Sequence, residues 1–271
     1  MDRYVVIGNP VAHSLSPRIH ALFAQQLGDS LEYGTLLAPR GGFARSARAF
    51  FDAGGRGANV TLPFKVEALE LASKSSDRAR VAGAANFLAS RSGSIEADNT
   101  DGAGLVADLV RNLRVNVAAS RVLVIGAGGA ARGVIAPLLA ERPARLVIAN
   151  RDVDKARELA SRFGPLGPVE AAPLDAIPRD RFDIVVNATS ASVHGESLRL
   201  PEHVLSAKGL AYDMAYGDSA NAFLAHARAC GMRASDGLGM LVEQAAESFE
   251  LWRGKRPDTS PVLAHLRTRT A

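Results

Sequence analysis

Residues able to do chemistry cluster first around Arg121 to Ala131, RVLVIGAGGAA. Four apolar β-formers, Val122 to Ile125, run straight into Gly126, Ala127, Gly128 and Gly129, and an alanine-rich helix pattern starts with Ala130 and Ala131. In such a strand–turn–helix the first glycine permits the turn and the second lets the backbone approach a diphosphate. A small third residue, here Ala131, seats the helix on the strand. Unpaired N–H groups at the helix start, with the positive end of its dipole, favour an anion. The flanking strand and helix patterns make this G-x-G-x-x-A run read as a dinucleotide site. Roughly 20 residues further on, an NAD-type site places an acid for the ribose hydroxyls. Here the run is Asn150-Arg151-Asp152-Val153-Asp154-Lys155, an amide followed by a cation, which predicts NADP. Arg151 can stack on adenine and pair with a phosphate. Asp152 and Asp154 either repel that phosphate or merely begin the next helix.

Three earlier stretches carry further candidates. In Ser14-Leu15-Ser16-Pro17, Ser16 is a natural N-cap with Pro17 at the first helical position, and the two hydroxyls could equally seat a small carboxylate. In Asn59 to Lys65, NVTLPFK, Pro63 stops a strand and leaves Thr61 and Lys65 at its C-terminal edge, the usual ligand rim of open α/β sheets. A lysine in a helix's first turn opposes the helix dipole, so Lys65 is either simply solvated or placed there for a purpose. In Asp98 to Gly102, DNTDG, Asn99, Thr100 and Asp101 are all plausible caps of the helix that follows. Gln244 stands on a later helix, and spacing alone does not say whether it faces solvent or a ligand.

The elements that must hold these groups follow from periodicity. Tyr4–Gly8, Leu31–Ala38 and a segment ending near Thr61 read as strands, with helices from Ile19 and from Phe43 between them. SRSGS reads as the turn of a hairpin. Beyond the glycine turn, Leu146–Ala149, Ile184–Asn187 and Leu210–Met214 read as strands and Asp154–Phe163 as a helix, and Leu238 to Phe249 supplies a long amphipathic helix. This alternation predicts α/β architecture with parallel sheets. The 271 residues are 47% hydrophobic and 22% charged, and no apolar run is long enough for a membrane helix. The chain enters its first strand without a signal-peptide pattern, which predicts a cytoplasmic protein. A single cysteine, Cys230, excludes an intrachain disulfide. The net charge of +4 suits anionic ligands, but the arginines are dispersed, which argues against nucleic acid. The six histidines show no H-E-x-x-H, so no metal site is expected, and neither a G-x-S-x-G nor a P-loop lysine signature occurs.

Taken in order, SLSP, NVTLPFK, GAAN (Gly83–Asn86), DNTDG, GAGGAARG, Asn150-Arg151, NATS (Asn187–Ser190), YDMAY (Tyr212–Tyr216) and DGLGMLVEQAA (Asp236–Ala246) closely resemble the shikimate dehydrogenase family, from Tyr4 to about Gly254. The resemblance implies NADPH-linked, reversible reduction of 3-dehydroshikimate to shikimate. It also implies a discontinuous α/β substrate domain, residues 1–101 and 235–271, and a Rossmann-type doubly wound NADP-binding domain, residues 102–234. By the family's pattern, Ser14 and Ser16 would hold the substrate carboxylate. Thr61, Asn86, Asp101, Tyr216 and Gln244 would contact its other polar groups, with Lys65 and Asp101 as the catalytic pair. Asp77, Gly126 to Ala130, Asn150 to Lys155, Met214 and Gly237 would bind NADP. The partners implied are small molecules, with no membrane or nucleic acid, for a monomer or homodimer. Departures from the pattern are Phe87, Ser192, Asp152 and Lys155, of which the last two bear on cofactor choice. A quinate-active or NAD-using relative, or a nucleotide-binding regulator without turnover, remain alternatives at this level.

Overall fold

The computed structural model describes residues 1–191, 198 and 200–270, so Ser192 lies outside the described residues. It divides into two compact units, residues 1–104 with 241–271, and residues 105–240.

The first unit opens with β1 (Asp2–Gly8), whose apolar Val6 and Ile7 are buried. Helix α1 (Ser16–Leu27) follows, stopped by Gly28 in the left-handed conformation, then β2 (Leu31–Leu37), α2 (Phe43–Asp52) and β3 (Gly57–Val60). Ser16 is not the N-cap that its type suggests. Leu15 occupies that position, and the Ser16 amide donates to Ser14 Oγ at 3.2 Å. The oxygen satisfying this free N–H comes from one position earlier than the cap, which leaves the Ser16 hydroxyl for other partners. Next come α3 (Lys65–Leu71), β4 (Lys74–Ser75), α4 (Asp77–Ala82) and the hairpin β5 (Phe87–Arg91) to β6 (Ser94–Asp98). Ser92 and Gly93 both take positive φ, as a tight two-residue hairpin turn requires. The sheet order is β2-β1-β3-β5-β6-β4, with β1 parallel to both neighbours and β5 antiparallel to β3 and β6. The C-terminal ends of β1, β3 and β6 and the N-terminal end of β5 therefore share one rim.

Helix α5 (Asp101–Ala107) carries the chain out of this unit and widens into a π-turn over Asp108–Asn112. The second unit is β7 (Arg121–Ile125), α6 (Gly129–Ala140), β8 (Arg145–Asn150), α7 (Val153–Phe163), β9 (Val169–Pro173), β10 (Phe182–Asn187), β11 (Leu205–Asp213), α8 (Asn221–Ala229) and β12 (Arg233–Ser235). Its strands are all parallel in the order β9-β8-β7-β10-β11-β12, the doubly wound dinucleotide arrangement with its switch point between β7 and β10. Val122 and Val124 face one hydrophobic cluster with α6 and α7, while Leu123 and Ile125 face another with α8. Burial on both faces is why this strand reads as an unbroken apolar run.

Helix α9 (Leu238–Arg253) returns the chain to the first unit, where α10 (Thr259–Thr270) ends it. Gly239 packs on the buried Asp108 carboxylate, which also accepts from the Tyr212 hydroxyl at 2.7 Å. A Cβ at Gly239 would fall 2.0 Å from Asp108 Oδ1, so no side chain fits there. At the other end of α9, Trp252 lies over Gly57 and donates from Nε1 to the Leu88 carbonyl at 3.1 Å.

His20 lies on the inner face of α1, wholly buried, stacked on Tyr33 at 4.2 Å between ring centroids and close to Phe249 and Trp252. Among the described residues neither ring nitrogen reaches a hydrogen-bond partner, and burial lowers its pKa from 6.5 to about 3, with Asn59 acting in the other direction. The folded chain thus keeps His20 neutral where the unfolded chain would charge it. Its contribution is complete above pH 6.5 and is lost as pH falls from there to about 3. The slope is about 1.4 kcal/mol per pH unit. Between pH 6 and 4, the unfolding free energy of His20→Phe should fall less steeply than that of the parent by about this amount per unit. Equal slopes in denaturant titrations would show that His20 is not held neutral.

Candidate active site

Lys65 is the first residue of α3, one turn past the end of β3. Its carbonyl accepts from the Ala85 amide at 2.7 Å, and its Nζ donates to Asp101 Oδ2 at 2.5 Å. The two side chains are 13% and 5% exposed, so the ion pair is largely out of water, where charge interactions are stronger. This is the only hydrogen bond of Nζ among the described residues, which leaves further N–H donors for a ligand.

Asp101 is held from both sides. Its amide donates to Asn99 Oδ1 at 3.1 Å, and its Oδ1 accepts from Asn86 Nδ2 at 2.9 Å. Asn99, not Asp101, thus supplies the side-chain oxygen at the start of α5. The DNTDG loop is anchored at Asp98, whose carboxylate takes a forked pair of hydrogen bonds from Arg78 at 2.6 and 2.9 Å. Burial pushes Asp98 up, but Arg78, Ser76 and the Asn99 amide outweigh it and hold the carboxyl below its ordinary range. Arg78 also donates to Glu247 on α9 at 2.8 Å, so one guanidinium ties the loop to the helix that carries Gln244.

Asn86 and Gln244 are buried, and Asn86 Nδ2 lies 3.1 Å from Gln244 Oε1. Gln244 Nε2 donates to the Leu241 carbonyl at 3.0 Å, so this side chain faces the interior of the unit rather than solvent. Thr61 is half-buried, its amide donating to the Ile7 carbonyl at 2.9 Å, and its methyl fills the space that a Cβ at Gly8 would need. Ser14 and Ser16 follow β1, with Ser14 Oγ donating to Ser16 Oγ at 3.2 Å. Ser14, Ser16, Thr61, Lys65, Asn86 and Asp101 thus all stand on the one rim defined by the strand directions. Sequence reasoning gave no role to Asn59 and Ser248 and read Thr100 only as a plausible helix cap; all three are buried polar side chains behind this rim.

In the second unit, Gly126 takes φ +109°, donates to the Ala149 carbonyl at 2.8 Å and approaches the Ala188 backbone so closely that a Cβ would lie 3.1 Å from it. Gly128 precedes α6 with open space around its Cα, and Gly129 and Ala130 form the first turn. A cradle that any side chain would narrow, at the start of a twelve-residue helix and at the sheet's switch point, fits a diphosphate. Asn150 ends β8 and donates to the Asp152 carbonyl at 2.8 Å. Asp152 caps α7 by accepting from the Asp154 amide at 3.2 Å, and Lys155 Nζ lies 3.5 Å from its carboxylate. Arg151 is exposed and enters no ion pair among the described residues. Met214 and Gly237 are brought together, the Met214 carbonyl lying 2.4 Å from where a Cβ on Gly237 would stand. Tyr216 is half-buried just after β11. Asn187 and Asp213, absent from the expected set, are buried at the ends of β10 and β11 and joined at 2.9 Å. Asp77 belongs to the first unit, where it is exposed and paired with Arg80. Among the described residues no group of three or more His, Cys, Asp and Glu could hold a metal, and no helix is long and apolar enough to cross a membrane.

Three family models match the chain. They are described as the shikimate dehydrogenase substrate binding domain over residues 6–88, shikimate / quinate 5-dehydrogenase over 108–200, and the shikimate 5'-dehydrogenase C-terminal domain over 237–267. The shikimate dehydrogenase (NADP(+)) of Methylobacillus flagellatus is 54% identical over 269 residues, covering 98% of this chain and 99% of that protein. Among solved structures, the Ael1 enzyme from Pseudomonas putida is 47% identical with a TM-score of 0.90, covering 98% of each chain. The shikimate 5-dehydrogenase of Thermus thermophilus in complex with NADP(H) and shikimate is 31% identical, with a TM-score of 0.84 and full coverage of both chains.

Proposed function

We infer the roles of individual residues from one premise: the chain belongs to the shikimate dehydrogenase family and catalyses the reversible NADPH-dependent reduction of 3-dehydroshikimate to shikimate. The substrate is a polyhydroxylated ring acid, which an apolar pocket would bind poorly. Hydroxyl and amide side chains match it because they donate and accept without adding net charge. Ser14 and Ser16 hold the carboxylate in this reading, and Thr61, Asn86, Asp101, Tyr216 and Gln244 hold the ring hydroxyls. Such a site rejects analogues lacking a hydroxyl, since its own groups would be left unpaired.

NADPH supplies the hydride. As the carbonyl carbon is reduced, negative charge develops on its oxygen, and Lys65 stabilises that charge and delivers the proton. Asp101 orients the ammonium and is itself fixed by Asn86. The observation that carries this assignment is the 2.5 Å Lys65–Asp101 pair, nearly buried, with donors of Nζ left over. On the cofactor side, the Gly126–Ala130 turn takes the diphosphate, Arg151 with Asn150 and Lys155 takes the 2′-phosphate, and Met214 and Gly237 adjoin the bound cofactor. Asp77 completes the proposed set. The proposed setting is the cytoplasm, with small molecules as partners and a monomer or homodimer as the assembly.

Following reduced-cofactor absorbance with shikimate or quinate, each with NADP or NAD, tests the reading. Shikimate with NADP should give the highest kcat/KM. A higher value for quinate, or for NAD, would overturn the substrate or cofactor assignment respectively.

A further inference from the structure

Behind the rim runs a buried line of side chains whose hydrogen bonds can be assigned a direction one by one. The Asn86 carbonyl can only accept, so the Asn59 amide group lying 3.2 Å away must present its Nδ2 there. Asn59 Oδ1 then faces Tyr33, whose hydroxyl donates to it at 2.7 Å. Burial pushes the Tyr33 phenol well above its ordinary range, so it remains a donor toward Asn59. In the opposite direction, Asn59 Nδ2 donates to Ser248 Oγ at 2.9 Å, and Ser248 spends its own proton on the Gln244 carbonyl at 3.0 Å. Toward Thr100 Oγ1, 3.2 Å away, Ser248 can therefore only accept. That draws the Thr100 proton away from Asn86 Oδ1 and Gln244 Oε1, which lie at 3.2 and 3.3 Å. The Thr100 oxygen is then free to accept from Asn86 Nδ2 at 2.9 Å, whose other proton goes to Asp101.

We propose that Ser248 is a positioning residue for the reacting end of the substrate: through Thr100 and Asn86 it aims the Asp101–Lys65 pair. The proposal rests on the substrate-site reading above and adds residues that touch no ligand to it. Without Ser248, the Thr100 hydroxyl turns to Asn86 Oδ1 or Gln244 Oε1. It then occupies an acceptor of the site and loosens the amide that holds Asp101.

Loss of the Ser248 hydroxyl should therefore be felt in turnover more than in binding. Ser248→Ala is expected to lower kcat about tenfold, with KM for shikimate changed less than about threefold, and to displace the alkaline limb of the kcat/KM pH profile. Thermal unfolding of Ser248→Ala checks folding, and Ser248→Thr, which keeps the hydroxyl, should restore the limb. Equal changes of kcat and KM, or a limb that does not move in Ser248→Ala, would overturn the proposal. Lys65→Ala serves as the control: if it left kcat intact, the substrate-site reading itself would fail. Its collapse alongside parental constants in Ser248→Ala would sink the positioning role alone.

Discussion

Lys65→Ala is expected to lower kcat by about three orders of magnitude, with KM for shikimate moving much less, because a positioned acid contributes about 10²- to 10⁴-fold in the transition state. The ammonium meets the ketone oxygen only weakly before reduction and strongly once charge accumulates there, so its removal is felt in turnover rather than in binding. The substitution also leaves the Asp101 carboxylate buried with Asn86 as its remaining side-chain partner, so thermal unfolding should show some loss of stability. Steady-state kinetics on protein verified as folded checks this. A variant with raised KM and parental kcat would reduce Lys65 to a binding residue.

The second large effect concerns the cofactor. Arg151→Ala should lower kcat/KM with NADP by roughly 10- to 100-fold, the worth of one or two charge-assisted hydrogen bonds, and with NAD by no more than about threefold. Arg151 is exposed and unpaired among the described residues, whereas Lys155 already faces the Asp152 carboxylate at 3.5 Å, so the arginine carries most of the discrimination. Asp152→Asn keeps an N-cap side chain for α7 and frees Lys155, which should increase preference for NADP. Equal losses with both cofactors in Arg151→Ala would remove this residue from the phosphate site.

Local patterns made much of the fold legible. The apolar run ending at Gly126, the hairpin turn at Ser92-Gly93 and the helix from Phe43 each announce themselves within a few residues. Strand β9 was not readable because VEAAP offers one β-branched residue beside a glutamate and two alanines, and β12 is too short to show a period. The cap of α1 was misplaced by one residue, since the Ser14 and Ser16 oxygens are equally good acceptors for a free amide and only the backbone decides between them. In the site, residue types pointed to Lys65 and to the glycine turn, while the resemblance alone joined Lys65 to Asp101. The partnership of Tyr33, Asn59, Thr100 and Ser248 spans segments far apart in the chain, and no periodicity encodes which buried hydroxyl meets which amide. His20 was hidden for the same reason, a polar ring within the apolar face of a helix.

The most direct test of the account is a crystal structure of the chain with shikimate bound. Lys65 Nζ is predicted to lie within hydrogen-bond distance of the 3-hydroxyl, the oxygen that becomes the ketone, with the carboxylate on Ser14 and Ser16 Oγ. Shikimate bound the other way round, with its carboxylate against Lys65 and its 3-hydroxyl against the two serines, would contradict it.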